Sequence, residues 1–122
     1  MGYYSEVGIC IKKNDFEELE SRAKILNDEG LLYLLQHIDK KTEIISDEVI
    51  VIHWYSLKWY PEFKEVQFIM NYLIELEEKG KPYAYVRIGE EQNDIEEQHS
   101  YGETGEDYSC DHLYTNTYLE ID

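Results

Sequence analysis

The chemistry this sequence can offer is carried mainly by carboxylates. Between Gly89 and His112 stand Glu90, Glu91, Asp94, Glu96, Glu97, Glu103, Glu106, Asp107 and Asp111, with no Lys or Arg among them. Clusters of like charge are often a hydrated surface and nothing more. Set opposite a basic groove, however, carboxylates can stand in for phosphates, steering association and matching charge. On that reading Glu90, Glu91, Asp94, Glu96, Glu97, Glu103, Glu106 and Asp107 form the partner-binding set. Hard carboxylate oxygens also suit calcium, but the D-x-[DN]-x-[DN]-G loop is missing from the sequence. His99, Cys110 and His112 could supply three zinc ligands, with Asp111 or a water as the fourth, yet their spacing fits no standard zinc pattern. No metal and no cofactor are expected.

A second group of residues is aromatic. Trp54, Tyr55, Trp59, Tyr60, Tyr83 and Tyr85 could form a stacking platform, with Arg87 or Lys58 pairing a ligand phosphate. A ligand site made of Trp54, Tyr85 and Arg87 is the alternative functional reading. Against it stands core packing or a homo-oligomer interface, since aromatics dominate both kinds of contact. His53 lies within an apolar run and reads as a partly buried, hydrogen-bonded histidine. No G-x-S-x-G, phosphate-binding glycine loop or H-E-x-x-H motif is present, so no enzymatic reaction is expected.

Composition narrows the partner. The 122 residues carry a formal charge of −16, all 11 Lys and Arg lie within residues 1–87, and 11 acids follow Arg87. Such a chain is repelled by nucleic-acid phosphates and anionic membranes, so a basic protein is the favoured partner. With 43% hydrophobic residues and 12 Tyr it is too apolar for intrinsic disorder. Its length fits one domain, residues 1–122. There is no apolar stretch of membrane-spanning length and no signal-peptide pattern at the start, which predicts a soluble, cytoplasmic protein. Cys10 and Cys110 form no disulfide framework and read as free thiols, one in a strand and one in a polar loop.

These residues must be positioned by regular elements. Val7, Ile9 and Ile11 alternate with Glu6, Gly8, Cys10 and Lys12, predicting a strand over residues 3–12 with one buried face. Asn14 and Glu17 match a capping box, so a helix should start near Asp15, with Gly30 ending or kinking it before a second apolar run. Glu43, Ile44 and Ile45, then Ser46-Asp47-Glu48, then residues 49–55 read as a hairpin. Its second strand is apolar on both faces and is predicted to be the middle of the sheet. Pro61 suits the first turn of a helix whose stripe of Phe63, Val66, Ile69, Met70, Leu73 and Leu76 ends before Gly80. A strand over residues 83–88 follows. The order β-α-β-β-α-β predicts an α+β domain of ferredoxin-like type, an antiparallel sheet with helices on one face. To this are added an acidic loop over residues 89–112 and a C-terminal strand over 113–121.

The opening Gly2-Tyr3-Tyr4-Ser5-Glu6-Val7, together with Tyr85-Val86-Arg87-Ile88-Gly89-Glu90-Glu91 and Asp94-Ile95-Glu96, resembles a group of small acidic phage and prophage proteins. These open on a similar Tyr-Tyr-Ser strand and carry an Arg-Ile-Gly-Glu and Asp-Ile-Glu box. The resemblance implies a phage-type protein acting in the bacterial cytoplasm. By analogy it implies an anti-CRISPR-like or other anti-defence inhibitor that occupies the nucleic-acid channel of a basic host nuclease. The two-sided aromatic strand and the terminal strand further predict a sheet surface left uncovered, and hence a possible homodimer.

Overall fold

The computed structural model describes residues 2–113. The strongest alternation in the sequence builds the centre of the sheet. β1 (Ser5–Lys12) sends Val7, Ile9 and Ile11 to one face and Gly8 and Cys10 to the other, and all five are buried. It is paired antiparallel on one side with β3 (Val49–Leu57) and on the other with β4 (Tyr83–Ile88). β2 (Lys40–Ile44) lies outside β3, and β5 (Ile95–Ser100) lies outside β4. The order is β2-β3-β1-β4-β5 with every neighbouring pair antiparallel. The α+β expectation holds at this level. The middle strand, however, is β1 and not β3; β3 reads as two-sided because both faces of the sheet are covered.

One face carries the helices. α1 (Lys13–Leu26), α2 (Glu29–Gln36) and α3 (Lys64–Glu78) bury Phe16, Leu19, Ala23, Leu31, Val66, Ile69, Leu73 and Leu76 against Val7, Ile9, Ile11, Ile50, Ile52, Trp54, Tyr83 and Tyr85. On the opposite face Cys10, Val49, Val51, Ala84 and Val86 pack against Cys110 and Leu113. His53 is buried here, as its place in the apolar run predicts.

Several element ends depart from expectation for local reasons. β1 runs straight into α1, whose first amide, Lys13 N–H, donates to the Glu48 carbonyl at 2.8 Å. The Asn14 cap is therefore displaced: Lys12 occupies the N-cap position, with no side-chain capping bond. α1 ends at Asn27 in the left-handed region (φ 55°), not at Gly30, because Asp28 then caps α2 by accepting from Leu31 N–H at 3.0 Å. Pro61 sits in a turn closed by Phe63 N–H to the Tyr60 carbonyl at 3.0 Å, so α3 starts only at Lys64. Gly80, at φ 69°, terminates α3 as predicted, with Lys81 N–H reaching back to the Leu76 carbonyl at 2.8 Å.

The largest correction concerns residues 89–112, which are not one continuous loop. They contain β5, paired residue for residue from Ile88↔Ile95 to Tyr83↔Ser100, and a 3-10 turn at Ser109–Asp111 that lays Cys110 on the sheet. β5 escapes sequence reading because nearly all of its side chains are exposed, leaving no apolar alternation to detect. Nor is the aromatic strand an open face. Trp54 is sealed beneath α2, donating its indole N–H to the Leu34 carbonyl at 3.0 Å, and Trp59 is buried beside it. Of the aromatics behind the homodimer expectation, Trp54 and Trp59 are thus buried, Tyr60 is half-buried and Tyr55 is exposed, and the strand expected over residues 113–121 falls outside the described residues beyond Leu113.

Cys10 and Cys110 are both free and buried. A hydrogen bond between the two thiols, together with burial, pushes the Cys10 thiol well above its ordinary range. Iodoacetamide at pH 8 should therefore modify the native protein on the order of a hundredfold more slowly than the guanidinium-unfolded chain. Fast alkylation of Cys110 in the native state would show that the segment does not lie on the sheet.

Candidate functional site

Arg87 is the last cation in the sequence, and the alternation of β4 brings it to the helix-side face, two residues beyond Tyr85. It stands opposite Val7 on one side and Glu96 on the other. Its guanidinium makes four hydrogen bonds: Nη2 to Asp94 Oδ1 at 2.7 Å, Nη1 to Asp94 Oδ2 at 3.2 Å, Nε to Glu96 Oε1 at 2.6 Å, and Nη1 to Ser5 Oγ at 3.1 Å. With the side chain only 13% exposed, these are charge-assisted bonds partly shielded from water. Three strands meet on one side chain.

The N-terminal residues close over this centre. Tyr3 donates its hydroxyl to Asp94 Oδ2 at 2.5 Å and accepts from Glu91 N–H at 3.0 Å, while Tyr4 N–H donates to Glu90 Oε2 at 2.6 Å. Tyr3 N–H in turn donates to the Tyr60 hydroxyl at 2.8 Å. Gly89 permits this approach, since a Cβ there would collide with the Asp94 carboxylate and the Tyr3 hydroxyl. The Arg87 guanidinium, and then the Tyr3 hydroxyl, hold the Asp94 carboxyl below its usual range. Beside the centre a cleft of about 460 Å³ opens between α3 and the β4–β5 edge, with Trp59, Tyr60, Met70, Asn71, Gln98 and Glu96 among its lining. Trp59 donates its indole N–H to the Tyr85 hydroxyl at 3.0 Å, and burial pushes that hydroxyl far up in pKa, so it stays protonated.

The eight carboxylates singled out from sequence fall into two groups. Glu90, Glu91, Asp94, Glu96 and Glu97 gather on the β4–β5 hairpin and β5 itself. Glu103, Glu106 and Asp107 lie at the other end of the sheet, Glu103 against Gly80, and Glu106 and Asp107 near Lys12. Within these groups Asp94 and Glu96 are engaged by Arg87, Glu90 by Tyr4, and Asp107 by Ser109, whose N–H and hydroxyl donate at 3.1 and 2.6 Å. Glu91, Glu97, Glu103 and Glu106 are exposed, with no side-chain hydrogen bond or ion pair among the described residues.

Of the alternative trio, Trp54 and Tyr85 are each 2% exposed, and Tyr85 and Arg87 line the cleft while Trp54 does not, so the three form no open stacking platform. His99 packs on Tyr101, Cys110 on Cys10, and His112 Nε2 lies 2.5 Å from Asp47 Oδ2, three separate neighbourhoods. Among the described residues no group of three or more His, Cys, Asp and Glu is arranged to hold a metal ion, and no helix is long and apolar enough to cross a membrane.

No protein-family model matches this sequence, no curated protein matches it significantly, and no solved structure does so either. The site therefore rests on its own chemistry. Sequence reasoning missed Tyr3, Ser5, Gln67, Asn71 and Gln98, whose partners lie in distant segments or whose types carry no signal alone.

Two variants test this centre. Gly89→Ala should lower stability by about 1–3 kcal/mol through overpacking against Tyr3 and Asp94, measured by urea unfolding. An unchanged midpoint would show that the Tyr3 contact is dispensable. Asp94→Asn should be less stable than wild type at pH 7. Because the folded carboxyl titrates below its ordinary value of 3.8, that advantage is complete above this value and is lost as pH falls through the folded one. An advantage that instead grows between pH 5 and pH 2 would contradict a carboxylate held in its charged form.

Proposed function

We propose that this chain is a non-enzymatic inhibitor of phage type, acting in the cytoplasm of a bacterial host. It presents the acidic β4–β5 edge to a basic nucleic-acid-binding protein and occupies that protein's nucleic-acid channel. The observation that carries the reading is the mounting of the carboxylates. Glu96 and Glu97 stand on the paired backbone of β5, and Glu90, Glu91 and Asp94 on the tight turn before it, which Arg87 pins through Asp94 and Tyr3 and Tyr4 pin through the Glu91 amide and the Glu90 carboxylate. A fixed array loses less entropy on binding than a mobile one and keeps its complementarity to fixed cations. The phage character of the proposal is supported by the Tyr3-Tyr4-Ser5 opening and the Arg87-to-Glu91 box. The finer reading of the fold, a ferredoxin-like split β-α-β with β5 added at its edge, is supported by the order β2-β3-β1-β4.

Sequestration of a nucleotide on Trp54, Tyr85 and Arg87 receives less support. Two of its residues lie in the core, and the Asp94 and Glu96 charges around Arg87 would repel a phosphate.

The test uses a basic nucleic-acid-binding protein captured from bacterial lysate. Its affinity for this chain should fall steeply with salt, and double-stranded DNA should compete. The pair Glu91→Gln and Glu97→Gln, which breaks no internal bond, should weaken binding about fivefold or more, mostly through slower association. Glu103→Gln with Glu106→Gln, at the far end of the sheet, should change it by less than about twofold. Salt-independent binding, or capture that DNA does not compete with, would contradict the proposal.

A further inference from the structure

The cleft beside Arg87 has a charge balance that selects its occupant. Arg87 uses four of its five N–H donors on Ser5, Asp94 and Glu96. Tyr3 gives its hydroxyl proton to Asp94, Trp59 gives its N–H to Tyr85, and Gln67 gives an amide N–H to the Pro61 carbonyl at 3.1 Å. Acceptors remain. Glu96 is 57% exposed and bonds through Oε1 alone, which leaves Oε2 open, and the side-chain amides of Gln67, Asn71 and Gln98 line the same space. The charged residues lining it are one cation, Arg87, and two carboxylates, Asp94 and Glu96. Tyr3, Tyr60 and Met70 supply π faces and a soft apolar wall. A cavity negative in sum and lined by aromatics, whose one cation is already bonded to two carboxylates, disfavours phosphates and favours a cation that brings its own N–H groups.

We propose that the cleft receives one basic side chain, arginine above all, from the protein partner, as the anchor around which the acidic edge docks. The inference rests on the acidic-interface reading and adds to it a defined subsite. A guanidinium would bond to Glu96 Oε2 and the rim amides while its plane lies against Tyr3 or Tyr60, a geometry that a planar, weakly hydrated cation suits better than lysine's ammonium. Arginine is also the charged residue enriched at interface hot spots.

The probe is Nα-acetyl-arginine methylamide, titrated into the ¹⁵N-labelled protein at low salt, with the citrulline analogue as an uncharged isostere. Shifts of the Trp59 indole N–H and of the Gln67, Asn71 and Gln98 side-chain amides are expected, with apparent affinity about three- to fivefold tighter for arginine than for citrulline. Glu96→Gln should reduce that preference. Asn71→Arg, on the exposed side of α3, supplies an internal guanidinium and should abolish the response while the rest of the spectrum stays native. Equal response to both probes, or shifts scattered over the acidic surface with Trp59 unmoved, would overturn the cleft. If the cleft takes arginine but DNA-competed protein binding is absent, the inhibitor reading fails alone. If that binding is present and the cleft is silent, the anchor fails alone.

Discussion

One guanidinium organises the acidic half of this protein. After Arg87 the sequence contains no further Lys or Arg, so every carboxylate beyond it must share this one, meet a cation folded back from earlier in the chain as Asp107 meets Lys12, or be tolerated without one. Arg87 is shared by Asp94 at the hairpin and Glu96 on β5, and it also reaches Ser5 on β1. A lysine would hold one carboxylate as a point charge, whereas the planar fork of an arginine can bond to two at once. The β4–β5 hairpin, the closure of Tyr3 and the cleft beside α3 all depend on that geometry.

The remaining cations sit elsewhere. Lys12, Lys13 and Lys81 gather near the start of α1, at the end of β1 away from Ser5, where Lys81 pairs with the buried Asp15 at 2.9 Å. Charge is therefore separated along β1, with the unneutralised carboxylates Glu91 and Glu97 at the Arg87 end or along β5. Like charges gathered on one edge repel one another and oppose folding of that edge. The β4–β5 ladder and the Arg87 bonds supply the opposing free energy, which makes this edge ordered but dependent on few interactions. A basic partner would relieve the same repulsion.

How much of this was legible in the sequence follows from what leaves a pattern. Val7, Ile9, Ile11 and the stripe from Val66 to Leu76 mark β1 and α3 because burial on one face imposes a period. Gly80 marks the end of α3 because a left-handed residue is needed there. β5 left no such mark, since an exposed edge strand places polar side chains on both faces and its pairing is carried by the backbone and the Arg87–Glu96 ion pair, neither of which imposes an apolar period. The carboxylates of the candidate site were visible as a charge run, but their division into two groups was not, because the chain crosses the length of the sheet between Ile95 and Ser100. Trp54 and Tyr85 looked equally suited to stacking or to packing. Only the position of α2 and of Trp59 decides for packing. Tyr3 carried a hint through its place in the opening motif, yet its bond to Asp94, 91 residues away, is a tertiary fact.

The central claim is that residues 89–112 form an ordered, sheet-mounted acidic surface instead of a solvated loop. Amide hydrogen exchange at neutral pH measures this directly, residue by residue. Amides of β5 that bond to β4, together with Gly89 N–H, which donates to the Asp94 carbonyl at 2.8 Å, should be protected well above unfolded-chain rates, with outward-facing amides exchanging fast. Exchange of the whole segment at unfolded-chain rates, with β1, β3 and β4 still protected, would contradict the account.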